Sequence, residues 1–121
     1  MTVHGTRQRF VAAKGQLDNG TPVVSVMGDV DVATAPALER TLLDVTSAGA
    51  REVIIDLTGC SFLDSRGLEA LTAMRARLQR SDRSLALVLS NPSLIRIFRI
   101  TQVEERFTIY PSLSALRERA A

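Results

Sequence analysis

Short runs of aliphatic and β-branched residues alternate in this chain with longer segments in which apolar residues recur every three or four positions. The runs are too short for buried helices, and each predicts a strand, at residues 23–27, 52–57 and 84–90. The longer segments predict helices, the first of them with an apolar stripe at Leu38, Leu42 and Val45. Strands that alternate with helices in this way favour a largely parallel sheet.

Shorter signals complete the predicted order. Asn19-Gly20 is a turn signal that joins a first strand, at residues 10–13, to the second strand as an antiparallel hairpin. Asn91-Pro92 predicts the start of the third helix, and a last strand at residues 107–110 precedes a terminal helix. We therefore expect a single α/β domain of order ββαβαβαβα, with a mostly parallel open sheet and an antiparallel N-terminal edge strand.

The length and composition fit one globular domain. A chain of 121 residues can bury a core of its own, and apolar residues make up 45% of it, which argues against disorder. Residues 1–9 are mostly polar, so we expect them to form a flexible N-terminal tail. We expect residues 10–121 to form the domain.

Charge, hydropathy and cysteine content exclude several classes of partner. The net charge is +2, and the 15 basic residues are dispersed along the chain, which argues against nucleic-acid binding. No apolar run approaches the ~18 residues of a membrane span, and the N-terminus does not resemble a signal peptide. Cys60 is the only cysteine, so no internal disulfide can form, which suits a reducing compartment. We expect a cytoplasmic protein with no nucleic-acid or membrane partner.

The residues of common catalytic sites are also missing. His4 is the only histidine and lies in the predicted tail, which removes Ser-His and Cys-His arrangements and most zinc sites. The sequence contains neither a P-loop nor a G-x-G-x-x-G motif. Asp31 and Asp64 are conceivable metal ligands, but helix capping and recognition explain them more simply. We expect no enzymatic activity, no metal and no cofactor.

One segment, CSFLDSRGLEAL at residues 60–71, combines a polar turn with the start of a helix. This turn and residues 28–31 both follow predicted parallel strands, and such loops gather at the carboxyl edge of an open sheet. We therefore expect Asp31, Asp64 and Ser65 to lie at one end of the molecule, although they are far apart in sequence.

Ser65 is predicted to sit at, or one residue before, the first residue of the second helix. A hydroxyl there stabilises the helix as a cap by about 1 kcal/mol. The free N–H groups and the positive dipole end of a helix start also favour a phosphate group. Gly67 would let another chain approach closely. From these residues alone, capping is the favoured interpretation of Ser65 and modification is the alternative.

Three segments together resemble a known family. "GDVDVATAPALERTL", "VIIDLTGCSFLDSRGLEAL" and "NPSLIRIFRIT" are similar to the corresponding segments of STAS domains, the family of bacterial anti-sigma factor antagonists. The resemblance covers nearly the whole chain from Phe10 onward, and its middle segment is the most specific. It implies a single-domain switch protein. We expect the chain to be a monomer or a weak dimer.

The resemblance also implies a mechanism. The unphosphorylated antagonist would bind an anti-sigma factor that is also a serine kinase, and so release a sigma factor. Phosphorylation of Ser65, which matches the family's acceptor position, would break the complex, and a phosphatase would restore it. Asp31 matches the acidic residue that assists kinase recognition. The implied recognition surface comprises Asp29, Asp31, Asp64, Arg66, Gly67 and Glu69.

Arg66 departs from the family pattern, which has a second serine at this position. Its guanidinium could pair with a phosphate on Ser65, or it could clash with a kinase pocket shaped for a small neighbour. The alternative function is therefore a STAS scaffold without phosphorylation, or a regulatory subunit of a signalling or transport assembly.

Overall fold

A computed structural model of the chain describes residues 9–119. The predicted tail therefore lies, apart from its last residue, outside the described residues. Over the described residues the elements follow one another as β1 (Val11–Gln16), β2 (Pro22–Val30), α1 (Ala35–Thr46), β3 (Glu52–Leu63), α2 (Ser65–Gln79), β4 (Ser84–Val88), α3 (Pro92–Ile100), a short 3-10 helix (Glu104–Arg106), β5 (Thr108–Tyr110) and α4 (Leu113–Glu118). The predicted order ββαβαβαβα is confirmed.

The strands form one five-stranded sheet in the order β1-β2-β3-β4-β5. β1 pairs antiparallel with β2, and each of the other pairs is parallel. The predicted antiparallel N-terminal edge is therefore confirmed. Because β2 and β3 are parallel neighbours, both end at the same edge of the sheet.

The main core lies between one face of the sheet and helices α1, α2 and α3. Each helix turns an apolar stripe toward the strands, as its spacing predicts. The stripes comprise Leu38 and Leu42 of α1, Leu68, Leu71, Met74 and Leu78 of α2, and Leu94 and Phe98 of α3. Burial of these side chains is the main force that holds the helices on the sheet.

The opposite face of the sheet carries a second, smaller core. Strand residues that alternate with those of the main core point to this side. Within residues 9–119, α4 is the helix that covers this cluster, through the buried Leu116. The strand and turn residues beneath it are Leu17, Val23, Ile54, Ala86 and Val88.

Strands β2 and β3 continue beyond the ends that the sequence predicts. The segments at residues 28–31 and 60–65, predicted to be loops, lie within the strands as far as Val30 and Leu63. The reason is irregular pairing, since the register shifts between Ser25 and Met27 and again between Gly28 and Asp29. Such bulges interrupt the period-2 alternation by which a strand is identified in a sequence.

A buried leucine on α4 gives a test of the second core. We expect Leu116→Ala to lower the free energy of unfolding by about 2–3 kcal/mol, because it removes buried methyl groups from the cluster while the short helix can partly close the space. Urea unfolding followed by circular dichroism measures the change. Arg117→Ala, at the exposed neighbouring position, should change stability by less than about 0.5 kcal/mol. Equal effects of the two variants would contradict this role for α4.

Candidate functional site

The ends of β2 and β3 bring two distant acidic segments together. Val30 and Leu63 are partners in the parallel ladder, and the backbone N–H of Asp64 donates to the carbonyl oxygen of Val30 at 3.1 Å. Asp31 and Asp64 therefore each follow a paired residue, on strands about 4.8 Å apart. Ser65 comes next in the chain, so the three residues lie at the same edge of the sheet.

Asp64, rather than Ser65, caps helix α2. Its Oδ1 atom accepts a hydrogen bond from the backbone N–H of Gly67 at 3.0 Å, and its own backbone is extended. Ser65 is the first helical residue and is exposed. The helix cap that the sequence favoured for Ser65 is therefore formed by the carboxylate of the neighbouring Asp64. The Ser65 hydroxyl lies outside the cap, beside the positive end of the helix dipole.

The connection between β2 and α1 is ordered by Asp31. Its Oδ1 atom accepts hydrogen bonds from the backbone N–H groups of Ala33 at 3.0 Å and Thr34 at 3.1 Å. The Thr34 hydroxyl in turn donates to the carbonyl oxygen of Asp29 at 2.8 Å and accepts from the backbone N–H of Asp31. These bonds fix the half-buried Asp31 carboxylate next to the end of β3.

A hydrogen bond also joins the two strands across the bulge. The Ser61 hydroxyl donates to Oδ1 of Asp29 at 2.8 Å. Asp29, which was predicted to lie in a loop, is therefore a strand residue whose carboxylate is held against β3. Ser61 was missed in the sequence because its partner is 32 positions away.

Arg66 bridges α2 and α1 through a bidentate ion pair with Glu39. The two guanidinium nitrogens lie 3.1 Å and 2.9 Å from the carboxylate oxygens of Glu39. The hydrogen bonds with Glu39 are the largest of the effects that raise the pKa of Arg66 above its usual range, and Glu69 and Asp64 add to them. The guanidinium is directed toward α1, and Glu39 is a residue that the sequence did not single out.

Gly67 is buried, and its packing explains why a glycine stands here. A Cβ atom at this position would lie 2.7 Å from Cγ1 of Val30 and 3.1 Å from Cγ of Leu63. The first turn of α2 thus touches the ends of β2 and β3 directly. The prediction that Gly67 admits another chain is wrong in this respect, because the space is already filled from within the same chain.

Glu69 and Cys60 complete the predicted residues of this region. Glu69 is exposed one helical turn after Ser65, on the same face of α2. Cys60 is buried, and burial raises the pKa of its thiol, which donates to the carbonyl oxygen of Phe62 at 3.3 Å. Cys60 therefore acts as a small apolar residue.

We call the residues that surround the two strand ends the strand-end surface: Asp29, Asp31, Asp64, Ser65 and Glu69. It carries four carboxylates, while the positive charge of Arg66 is matched by Glu39. Within residues 9–119, no group of three or more His, Cys, Asp or Glu side chains is placed to hold a metal ion. In the same part of the chain, no helix has the length and apolar character needed to cross a membrane.

Comparisons of sequence identify one family. The family model of the STAS domain matches residues 13–116 of this chain. The anti-sigma-B factor antagonist of Staphylococcus aureus is 30% identical over 82 residues, which span 68% of this chain and 76% of that protein.

Comparisons of structure agree with this result. An anti-sigma factor antagonist from Mycobacterium paratuberculosis superimposes with a TM-score of 0.82 and 32% identity, over 91% of this chain and 93% of the other. The unphosphorylated form of the antagonist SpoIIAA gives a TM-score of 0.74 over 92% of this chain and 98% of the other, with 17% identity, which shows a shared fold.

The close packing at Gly67 predicts the effect of adding one methyl group. We expect Gly67→Ala to destabilise the protein, because the overpacking cost of about 1–3 kcal/mol exceeds the roughly 1 kcal/mol by which alanine favours a helix. Ser65→Ala, two residues earlier and exposed, should change stability by less than about 0.5 kcal/mol. Thermal and urea unfolding of the two variants provides the comparison. A more stable Gly67→Ala protein would mean that the contacts with Val30 and Leu63 are not limiting.

The pair between Arg66 and Glu39 can be tested with a double-mutant cycle. We expect Arg66→Ala and Glu39→Ala each to lower stability slightly, and the double variant to lose less than the sum, because each single change removes the same ion pair. The coupling should shrink at high salt, since the pair is partly exposed. Unfolding measured at low and high ionic strength checks both points. If the stability losses of the two single variants add up to that of the double variant, the ion pair does not contribute to stability.

Proposed function

The chain belongs to the STAS domain family, and from this membership we propose that it is an anti-sigma factor antagonist whose binding to its partner is switched by phosphorylation of Ser65. Its relatives in Staphylococcus and Mycobacterium, which are at least 30% identical, carry the name of anti-sigma factor antagonist. The unphosphorylated form would bind an anti-sigma factor that is also a serine kinase, and so free a sigma factor in the cytoplasm. A phosphatase would reverse the modification.

The exposed hydroxyl of Ser65 at the start of α2 is the observation that carries the proposal. Because Asp64 makes the cap, Ser65 can be modified without the loss of a hydrogen bond that the helix needs. A kinase can reach the hydroxyl from solvent. The positive end of the helix dipole favours the phosphate that results.

A phosphate at this position would change the charge of the strand-end surface sharply. It adds a charge of about −1.5 to −2 beside the carboxylates of Asp31 and Asp64. An interface that fits a small neutral hydroxyl would then have to accept both the bulk and the charge. A loss of only about 1.4 kcal/mol weakens binding tenfold, so no rearrangement of the backbone is needed.

The ion pair with Glu39 bears on the role of Arg66. Neighbouring positions on a helix do not face each other, and the guanidinium already bonds to Glu39 in bidentate geometry. A phosphate on Ser65 would have to displace the Glu39 carboxylate before it could form an ion pair with Arg66. This supports a role for Arg66 in the choice of kinase or partner more than a role in holding the phosphate.

The remaining recognition residues divide into two groups. Asp29, Asp31 and Glu69 would face the kinase or the anti-sigma factor, and Glu69 lies one helical turn after Ser65 on the same face of α2. Asp64 and Gly67 would support recognition indirectly, because one caps α2 and the other lets α2 pack against the strands.

The experiment uses the anti-sigma factor kinase of the same organism. We expect incubation with this kinase and ATP to add one phosphate, which mass spectrometry locates at Ser65. Under conditions in which the kinase does not phosphorylate the chain, calorimetry should show that Ser65→Ala binds the kinase with the same affinity as the parent. Ser65→Asp should bind at least about tenfold more weakly, because it adds a negative charge at the acceptor position.

Ser93 provides a matched control. It is also an exposed serine in the first turn of a helix, α3, which follows β4 rather than β3. Ser93→Asp adds the same charge and should leave both the affinity and the phosphorylation unchanged. If Ser65→Ala and Ser65→Asp bind equally well, the switch is refuted, and a STAS scaffold that is not phosphorylated becomes the better description.

A further inference from the structure

Large apolar side chains that remain exposed are concentrated near the strand-end surface. Six such residues occur within residues 9–119. Two of them lie elsewhere, Leu43 on α1 and Ile100 at the last residue of α3. The other four belong to β1, β2, β3 and the turn that follows β2: Val11, Met27, Val32 and Phe62.

The strand register brings three of these four residues to one region of the sheet. Val11 is the partner of Met27 in the β1–β2 ladder, so the two side chains lie side by side on the same face. Met27 lies against Gly59 of β3. Phe62 is the ladder partner of Asp29, two residues further along β2. This face of the sheet is the one opposite α1, α2 and α3.

Val32 is the fourth exposed apolar residue, and it lies two positions after the last residue of β2. It directly follows Asp31 in the turn between β2 and α1, and 72% of its surface is exposed, the largest fraction among these residues. Helix α4 covers the part of this sheet face around Val23 and Ile54, earlier in the same two strands. The apolar residues at the strand ends lie past this cover. We call Val11, Met27, Val32 and Phe62 the apolar rim.

Exposed apolar groups of this kind cost free energy in water and, when they cluster beside polar groups, mark sites of interaction. We propose that the apolar rim is the hydrophobic part of the surface that binds the anti-sigma factor, and that the factor presents an apolar patch bordered by basic side chains. This proposal rests on the proposed function and specifies the chemistry of its partner. Val32 and Phe62 are its specificity-determining residues.

The charges at the strand ends identify a basic partner rather than a second copy of this chain. Asp64 and the exposed Glu69 add negative charge beside the balanced ion pair of Arg66 with Glu39, although the whole chain has a net charge of +2. A symmetric dimer would place the same patch of both copies together and bring these carboxylates face to face. A basic border on the partner would instead neutralise them and steer association.

The test measures the affinity of the full chain for the anti-sigma factor by calorimetry. Val32→Thr and Phe62→Thr keep β-branched or strand-compatible side chains but add a polar group, and each should weaken binding by about tenfold or more, equivalent to 1.4 kcal/mol. Ile100→Thr is the matched control for Val32, because 67% of Ile100 is exposed. Leu43→Gln, on α1, is the control for Phe62. Both controls should bind like the parent.

Binding should also weaken as the salt concentration rises, because part of the attraction is between charges. Unchanged affinity of Val32→Thr and Phe62→Thr, with Ser65→Asp still impaired, would overturn this inference and leave the proposed function intact. A parent chain that does not bind the anti-sigma factor would overturn both. If Val32→Thr or Phe62→Thr instead abolishes self-association of the chain in sedimentation, the rim joins two copies and the inference is wrong.

Discussion

The pairing of the ends of β2 and β3 determines the arrangement of everything that surrounds Ser65. Val30 and Leu63 are ladder partners, and the hydrogen bond from Asp64 to Val30 extends the pairing to the residue that caps α2. Gly67 then allows the first turn of the helix to touch both strands. The position of an exposed serine is thereby fixed by backbone contacts and buried side chains, which do not depend on the serine itself.

The sequence was sufficient to predict the topology, and it placed Asp31 and Asp64 at one edge, because both conclusions follow from hydrophobic periodicity and the geometry of parallel strands. It was not sufficient for the strand ends. The irregularities between Ser25 and Met27 and between Gly28 and Asp29 change the register of the pairing, and no local propensity reports such a shift. The cap was expected at Ser65 or its neighbour, but only the hydrogen bond from Gly67 distinguishes the Asp64 carboxylate from the hydroxyl beside it.

Interactions between elements were the part that a single sequence could not supply. Glu39 and Arg66 are 27 positions apart, and their pairing depends on how α1 and α2 pack together on the sheet. The same reason explains the wrong prediction for Gly67. The sequence suggested that another chain could approach this residue, but Val30 and Leu63 occupy the space beside it. The exposure of Val32 and Phe62 likewise depends on which face of the sheet the helices leave uncovered.

The unequal covering of the two sheet faces has a consequence for how the protein can evolve. Residues that hold the helices to the sheet lie mainly on one side, while the short helix α4 shields part of the second side. Substitutions on the unshielded part therefore alter contacts with other molecules at little thermodynamic cost to the fold. Gene duplicates of such a protein can diverge toward new partners while their interiors stay the same.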